Sequence, residues 1–417
     1  MKILSGMMLL PFLFSSNSRG REKIDSSLLK KTRTLGLNKI PAIVFSKQDK
    51  TKVCRNYLQS KGVEIKYELP LINAYAVELD GNKLEDTAKS DIVEYISDDV
   101  KMTSLLNVAA QEVGARIAND TGYTGDGIGI AVLDTGIYPH QDFTRPWNRI
   151  TAFRDFVNNR ESPYDDNGHG TFVAGVAAGS GYASKGKYKG VAPKASLIGV
   201  KVMDEKGSGN SSDILAGMQW VADHQKEYNI RIMSISLGAK PSESRFDPLA
   251  AAVEAVWEKG VVVVAAAGNS GPKQNTIVTP GISPMIITVG AVDDKRTTDY
   301  RDDVIASFSS RGPTRGRQIK PDIVAPGVNI MSANTDAEYT GGIRPVAMKE
   351  PYTQMSGTSF ATPIVSGAAA LLLCKNPEMA PSELKESLMK SAFNMDGVNK
   401  YAQGSGILDI KKCMNLH

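Results

Sequence analysis

Five apolar runs constrain the fold of this chain more than any other feature. They are IGIAVLD (128–134), ASLIGVKVM (195–203), IRIMSISLG (230–238), VVVVAAAGN (261–269) and MIITVGAV (285–292). A strand that is apolar on both faces leaves no face for water, so it belongs inside a parallel sheet covered by helices. The intervening stretches supply those helices. HGTFVAGVAAG (169–179) is a helix of small residues, DILAGMQWVADHQKEY (213–228) is amphipathic, and a third helix spans 248–259. The alternation predicts a three-layer α/β domain with a mainly parallel sheet. Ligands of such sheets bind beyond the carboxyl ends of the strands, which singles out Asp134 and Asn269.

The preceding part of the chain has a different texture. IPAIVFSK (40–47), VEIKYELP (63–70), INAYAVELD (72–80) and IVEYIS (92–97) read as strands. DKTKVCRNYLQSKG (49–62) and GNKLEDTAKS (81–90) have helical spacing. The order β-α-β-β-α-β over about sixty residues predicts a small ferredoxin-like α+β unit. It holds no histidine and no clustered carboxylates.

The 417 residues are enough for one large domain and a smaller one. A net charge of +4 points to neither a nucleic-acid nor a membrane partner. Cys54, Cys374 and Cys413 are too scattered for a metal cluster or a disulfide framework. No apolar run reaches the roughly 18 to 20 residues that span a bilayer, so no integral membrane segment is expected. Residues 1–18, with Lys2, an apolar stretch over 3–14 and then SSNS, resemble a secretory signal. Secretion is therefore expected, with a cytoplasmic location as the alternative.

The chemistry centres on SGTSFATP (356–363), which runs into IVSGAAALLL (364–373). Ser359 reads as lying directly ahead of a helix, with Pro363 in the first turn, where a missing N–H costs nothing. Free N–H groups at a helix start favour a reaction that develops negative charge. A plain helix cap fits the same residues. The rest of the chain breaks the tie. Of four histidines, His417 is terminal, His224 lies in an amphipathic helix and His140 sits in the turn PHQDF. His169, flanked by glycines in DDNGHGT (165–171), is the best general base. A serine hydroxyl needs a base, and the base needs an acid that fixes its tautomer. Asp134, His169 and Ser359 could fill those roles, with Asn269 and the Ser359 N–H as oxyanion donors.

AVLDTGI (131–137), NGHGTFVAG (167–175), VVAAAGNSGP (263–272) and GTSFATP (357–363) resemble the four signature blocks of the subtilisin-like serine proteases, the subtilases of peptidase family S8. KPDIVAPG (320–327), after FSSRGP (308–313), resembles a fifth, and the likeness runs from about 108 to 410. It implies a three-layer subtilisin-like domain over 107–417 that hydrolyses peptide bonds through an acyl-enzyme. Asp134 would be the orienting acid, His169 the base, Ser359 the nucleophile and Asn269 the oxyanion donor. Gly207, Ser208 and Gly209, and Ser236, Leu237 and Gly238, would be the edges that pair with a substrate backbone. Ala267, Gly268 and Val278 would complete the binding surface. No cofactor is required for such chemistry. The partners implied are protein or peptide substrates and the chain's own segment 19–106, a propeptide acting as chaperone and inhibitor. Its exit strand (93–107) would thread into the cleft and be cut between Met102 and Val108. A permanently attached regulatory domain is the alternative reading.

Three departures carry expectations. Phe172 stands where many members have a second histidine, and should pack in the helix interior. The stretch SGYASKGKYKG (180–190), where a tight calcium site is common, has three lysines and no carboxylate. Asp142 matches one familiar ligand position but lacks company, which argues against the usual site. No metal ligands are assigned. Val278 falls where a glycine often lines the primary specificity pocket, so a shallow pocket favouring Ala or Leu over Phe or Tyr is expected. The insertion at 333–352 has no assigned role. Rival readings fail on position. In GDGIGI (125–130) the glycines precede the strand, whereas a dinucleotide fingerprint follows it, and Ser359 is not in the G-x-S-x-G context of lipases. A pseudoprotease would lack a triad member, and none is missing.

Overall fold

The structure, a computed structural model, describes residues 20–416 apart from 26–27, 30–31, 33–38, 48, 70–72, 99–105, 242–246 and 343–347. The segment read as a signal and residues 102–105 of the expected cleavage stretch lie outside the described residues. The chain divides into two compact units, Met1–Thr103 and Ser104–His417.

In the first unit, β1 (Lys39–Ser46), α1 (Thr51–Ser60), β2 (Glu64–Leu69), β3 (Ala74–Asp80), α2 (Leu84–Ala88) and β4 (Val93–Asp98) follow one another. The sheet order is β2-β3-β1-β4, with every neighbour antiparallel. This is the ferredoxin-like order expected from the sequence. On β1 the buried residues Ile40, Ala42, Val44 and Ser46 recur at every second position, giving the sheet one core face. Cys54 and Leu58, one helical turn apart, bring α1 down onto it.

The second unit opens with α3 (Leu106–Glu112) and α4 (Ala115–Asp120). Six parallel strands then build the sheet: β5 (Gly129–Asp134), β6 (Ile150–Asp155), β7 (Ser196–Lys201), β8 (Ile230–Ile235), β9 (Val262–Ala266) and β10 (Ile287–Asp293). Their order is β6-β7-β5-β8-β9-β10. Beyond β10, β11 (Val304–Ile305) adds antiparallel and β12 (Ile323–Pro326) parallel. The chain passes from one side of β5 to the other between β7 and β8, which opens a crevice at the carboxyl end of β5. The short α5 (Gln141–Thr144) links β5 to β6. Helices α6 (His169–Ala178), α7 (Ser211–Asp223) and α8 (Pro248–Glu258) follow. After the hairpin of β13 (Ile330–Ala333) and β14 (Tyr352–Met355) come α9 (Thr358–Lys375) and α10 (Pro381–Ser391).

α6 and α9 pack together on one face of the sheet, while α7 and α8 cover the other. α9 is the one helix among the described residues long and apolar enough to cross a membrane, and 89% of that window is buried inside the protein. It is a core helix. α7 stops at Asp223, five residues short of the sequence expectation. His224 folds back there, stacking on Trp220 with ring centroids 4.3 Å apart and donating from Nδ1 to the Trp220 carbonyl at 2.8 Å. The Trp220 carbonyl, which already accepts the His224 amide at 3.0 Å, thus takes a second bond from the same residue's side chain.

α3 is held by an unusual contact. Glu112, Asp294 and Asp303 are each at least nine-tenths buried, and both oxygens of Glu112 and of Asp303 lack a donor, as does Oδ2 of Asp294. The carboxyl groups of Glu112 and Asp303 lie against each other, so the pair can bond only if one keeps its proton. Burial raises both above the usual carboxylate range, and the neighbouring Asp294 and Asp302 add repulsion. Asp294, beside Asp293 and capped by the Arg296 amide, is pushed up to about 6 by burial. The Tyr300 hydroxyl donates to the Glu112 carbonyl at 2.7 Å and keeps the helix end in place. The unfolded chain releases these protons above about pH 4.5 while the folded chain retains them. Stability from this contact is therefore full in acid and lost as pH rises through neutrality. Replacing Glu112 with Gln should raise the melting temperature at pH 8 by about 3 °C and change it little near pH 4, as read by calorimetry.

Candidate active site

Asp134 is the last residue of β5 and its side chain is fully buried. Oδ1 accepts from the Thr135 amide at 2.8 Å and from His169 Nδ1 at 2.7 Å, while Oδ2 has no partner. His169 is the first residue of α6 and is 23% exposed. The close approach depends on Gly170, where a Cβ would fall 3.0 Å from the Asp134 Cβ and 2.2 Å from the Gly136 carbonyl. A larger residue would lift α6 off the strand and part the pair.

The loop ahead of α6 is fixed by a second acid. Asp165 accepts from Thr135 Oγ1 (2.9 Å), the Asn167 and Gly168 amides (3.1 and 2.8 Å), and the Thr171 amide and hydroxyl (2.8 and 2.6 Å). Thr135 Oγ1 in turn accepts from the Gly170 amide at 2.9 Å. Fully buried Lys201 donates to the Thr135 carbonyl at 2.6 Å, to Asp166 at 2.6 Å and to the Met203 carbonyl at 2.8 Å. A cation is thereby seated beneath the acid loop. Burial works against a charge on His169, but the Asp134 carboxylate, its hydrogen bond and the more distant Asp165 outweigh it. The imidazole is held above its ordinary value.

Ser359 lies inside the first turn of α9, not ahead of it, because the helix begins at Thr358 after Gly357. Pro363 therefore sits in the second turn. Its missing N–H would have bonded to the carbonyl four residues back, that of Ser359. Ser236 Oγ takes that carbonyl instead, donating at 2.8 Å, and Ser359 Oγ donates to the Ser236 carbonyl at 3.0 Å. The two serines are tied reciprocally. As one of the first four amides of the helix, Ser359 N–H has no acceptor within it.

Asn269 lies three residues beyond β9 and is exposed. Its Oδ1 accepts from the amide and the hydroxyl of Thr358, each at 2.9 Å. With the oxygen so engaged, Nδ2 is left as an outward donor. Phe360 packs on the imidazole of His169, ring centroids 5.4 Å apart, and on fully buried Phe172 at 4.6 Å. Phe172 is a packing residue, as its helix-interior position implied.

These side chains meet in a cleft of about 520 Å³. His169, Asn269, Thr358 and Ser359 line its floor, with Gly207, Ser236, Leu237, Gly238, Gly268 and Val278 on the walls. Asn167, Met203, Lys206, Ala266 and Ser270 also border it, and none of these five was singled out in the sequence. Three expected binding residues lie outside the lining. Ser208 gives its carbonyl to the Asp204 amide, Gly209 backs onto the Val202 carbonyl, and Ala267 pairs with Val278 and Val289 through its backbone. Val278 is wedged between the two walls. A Cβ on Gly238 would fall 2.4 Å from its Cγ2, and one on Gly268 2.8 Å from its Cγ1. Backbone bonds from Val278 to Ala267 and between Thr279 and Ala239 hold it there.

The sequence pattern of the Subtilase family matches residues 125–406. The chain belongs to the subtilase family. It is 45% identical over 324 residues to serine protease AprX of Bacillus subtilis, a match that covers 76% of this chain and 72% of that protein. Subtilisin E of Bacillus subtilis is 31% identical over 363 residues, covering 86% and 84% of the two chains. The solved structure of sphericase matches at a TM-score of 0.57 with 34% identity, covering 69% of this chain and 92% of that one. This subtilase is a subtilisin-family serine endopeptidase and acts on proteins. Among its titrating groups, His169 reports the Asp134 contact directly. Its imidazole should titrate above about 6.5 by NMR and fall below that value in Asp134→Asn, where burial remains but the charge is gone.

Proposed function

We propose that Asp134, His169 and Ser359 form the catalytic triad of this endopeptidase and that Asn269 Nδ2 and the Ser359 amide bind the oxyanion. The observation that carries the reading is the 2.7 Å bond from His169 Nδ1 to a buried carboxylate, in the same cleft as Ser359. That bond leaves Nε2 as the free basic position. In the resting arrangement the Ser359 hydroxyl is spent on the Ser236 carbonyl. A peptide adding as a strand along Ser236–Leu237–Gly238 would compete for that carbonyl with its own N–H groups. Its arrival releases the hydroxyl to turn to His169. The oxygen attacks the scissile carbonyl, His169 takes the proton, and Asp134 stabilises the imidazolium. Asn269 Nδ2, held by Thr358, then donates to the tetrahedral oxyanion. His169 returns the proton to the leaving amine, and water resolves the acyl-enzyme by the same route.

The first unit serves as a propeptide that this active site removes. Three things support this: its separate sheet, the boundary at Thr103/Ser104 and the family of the unit that follows. Ser359→Ala should lower kcat by about a millionfold and leave the chain at full length. Wild type should yield a new N-terminus between Met102 and Val108 on N-terminal sequencing. A Ser359→Ala chain that matured alone and cut casein would overturn the assignment.

The pocket beside Ser359 takes small or aliphatic side chains at the cleaved position, because Val278 occupies the space between Gly238 and Gly268. Val278→Gly should raise kcat/KM for Phe relative to Leu at that position by about tenfold, measured on a peptide library. A wild-type enzyme that already preferred aromatic residues would refute the shallow pocket.

A further inference from the structure

The family resemblance implies a calcium ion between Asp142 and the loop that follows α6. Calcium takes roughly six to eight oxygen ligands. The groups around Asp142 are of the opposite kind. The Tyr352 hydroxyl lies 2.9 Å from both carboxylate oxygens, the Gly181 amide donates to Oδ2 at 3.1 Å, and the Ala183 amide donates to Oδ1 at 2.9 Å. The loop thus turns N–H donors toward the carboxylate, and the charged side chains it carries are Lys185, Lys187 and Lys189. These residues do not fit the ion.

We propose that the Tyr352 hydroxyl, with the Gly181 and Ala183 amides, takes the place of calcium at Asp142, so that this joint of the fold is locked without a metal ion, the buried Arg149 donating to the Asp142 carbonyl beside it. Asp142 is 1% exposed, and a carboxylate so buried must meet charge or donors. Tyr352 and the two amides supply the donors, and bonds to an ionised acceptor are the stronger kind. His140 completes the joint. Its Nδ1 accepts from the Asp142 amide at 3.1 Å, so Nε2 carries the proton and donates to the Pro351 carbonyl at 2.9 Å. The Tyr352 ring meets His140 at 5.5 Å and Tyr188 at 4.7 Å between centroids.

The insertion at 333–352, which had no role in the sequence, thereby acquires one. It delivers Pro351 and Tyr352 from the far end of the β13–β14 hairpin. β14 leads into α9 and Ser359, and the loop at 180–184 leaves the end of α6, which begins at His169. One joint therefore clamps the elements bearing both residues. The proposal rests on the family's calcium site, not on the catalytic roles, so a failure of the triad assignment would leave it standing.

The full chain, made inactive by Ser359→Ala to prevent self-digestion, would be melted in millimolar calcium and in excess chelator. The expected result is one melting temperature under both conditions, with Tyr352→Phe about 5 °C lower in both and not rescued by calcium. Amide exchange at Gly181 and Ala183 should be slow and indifferent to calcium, a readout that needs no variant to fold. Calcium-dependent protection of those two amides, or a Tyr352→Phe chain that melts with its parent, would overturn the proposal.

Discussion

A fully buried carboxylate at the end of β5 sets the terms for the rest of the active site. Asp134 is closed off from solvent, and no protein donor meets one of its oxygens. The other is met by its neighbour's amide and by His169. A polar group so buried must find its partners within the protein, and the imidazole is the side chain that meets it. That dependence runs both ways, since the same contact lifts the basicity of His169. The surrounding structure keeps the two within reach. Gly170 removes the side chain that would separate them, Asp165 gathers the turn before α6, and Lys201 balances the acids of that turn from below.

The residues proposed to react were legible because they lie in short contiguous blocks, and because the strands β5 and β9 that lead to Asp134 and Asn269 are apolar enough to announce themselves. β6 was not. As the outermost strand beside β7 it carries exposed Thr151 and Arg154 and has no continuous apolar run. The ferredoxin-like unit was readable from the alternation of its strands and the helical spacing between them, and β1 buries every second residue. The placement of Ser359 within α9 was misjudged by less than a turn, because a helix start is decided by which carbonyls find partners and not by the residues that favour helices. The groups that steady the site were missed for another reason. Asp165 and Lys201 read as ordinary charges, and the Asp142–Tyr352 bond joins residues 210 positions apart. Only the folded chain brings such partners together.

The cleft divides its labour between backbone and side chain. On the proposed reading, Ser236, Leu237 and Gly238 would offer a backbone edge to any peptide, because N–H and C=O groups repeat along every chain. Selectivity is left to what stands behind that edge. Val278, proposed to set the depth of the pocket, is held by bonds to Ala267 on one side and the Thr279–Ala239 pairing on the other. A side chain so braced does not yield to a larger ligand as a free-standing one would.

Pro363 lies one helical turn beyond Ser359, and it leaves a carbonyl open that α9 would otherwise have closed. Ser236 fills the gap, and Ser359 and the segment Ser236–Gly238 become a single mechanical part. Evolution and engineering meet the same limit here. On the proposed reading, redrawing the edge would move the serine with it, so a change of specificity would come through Val278 and leave the edge alone.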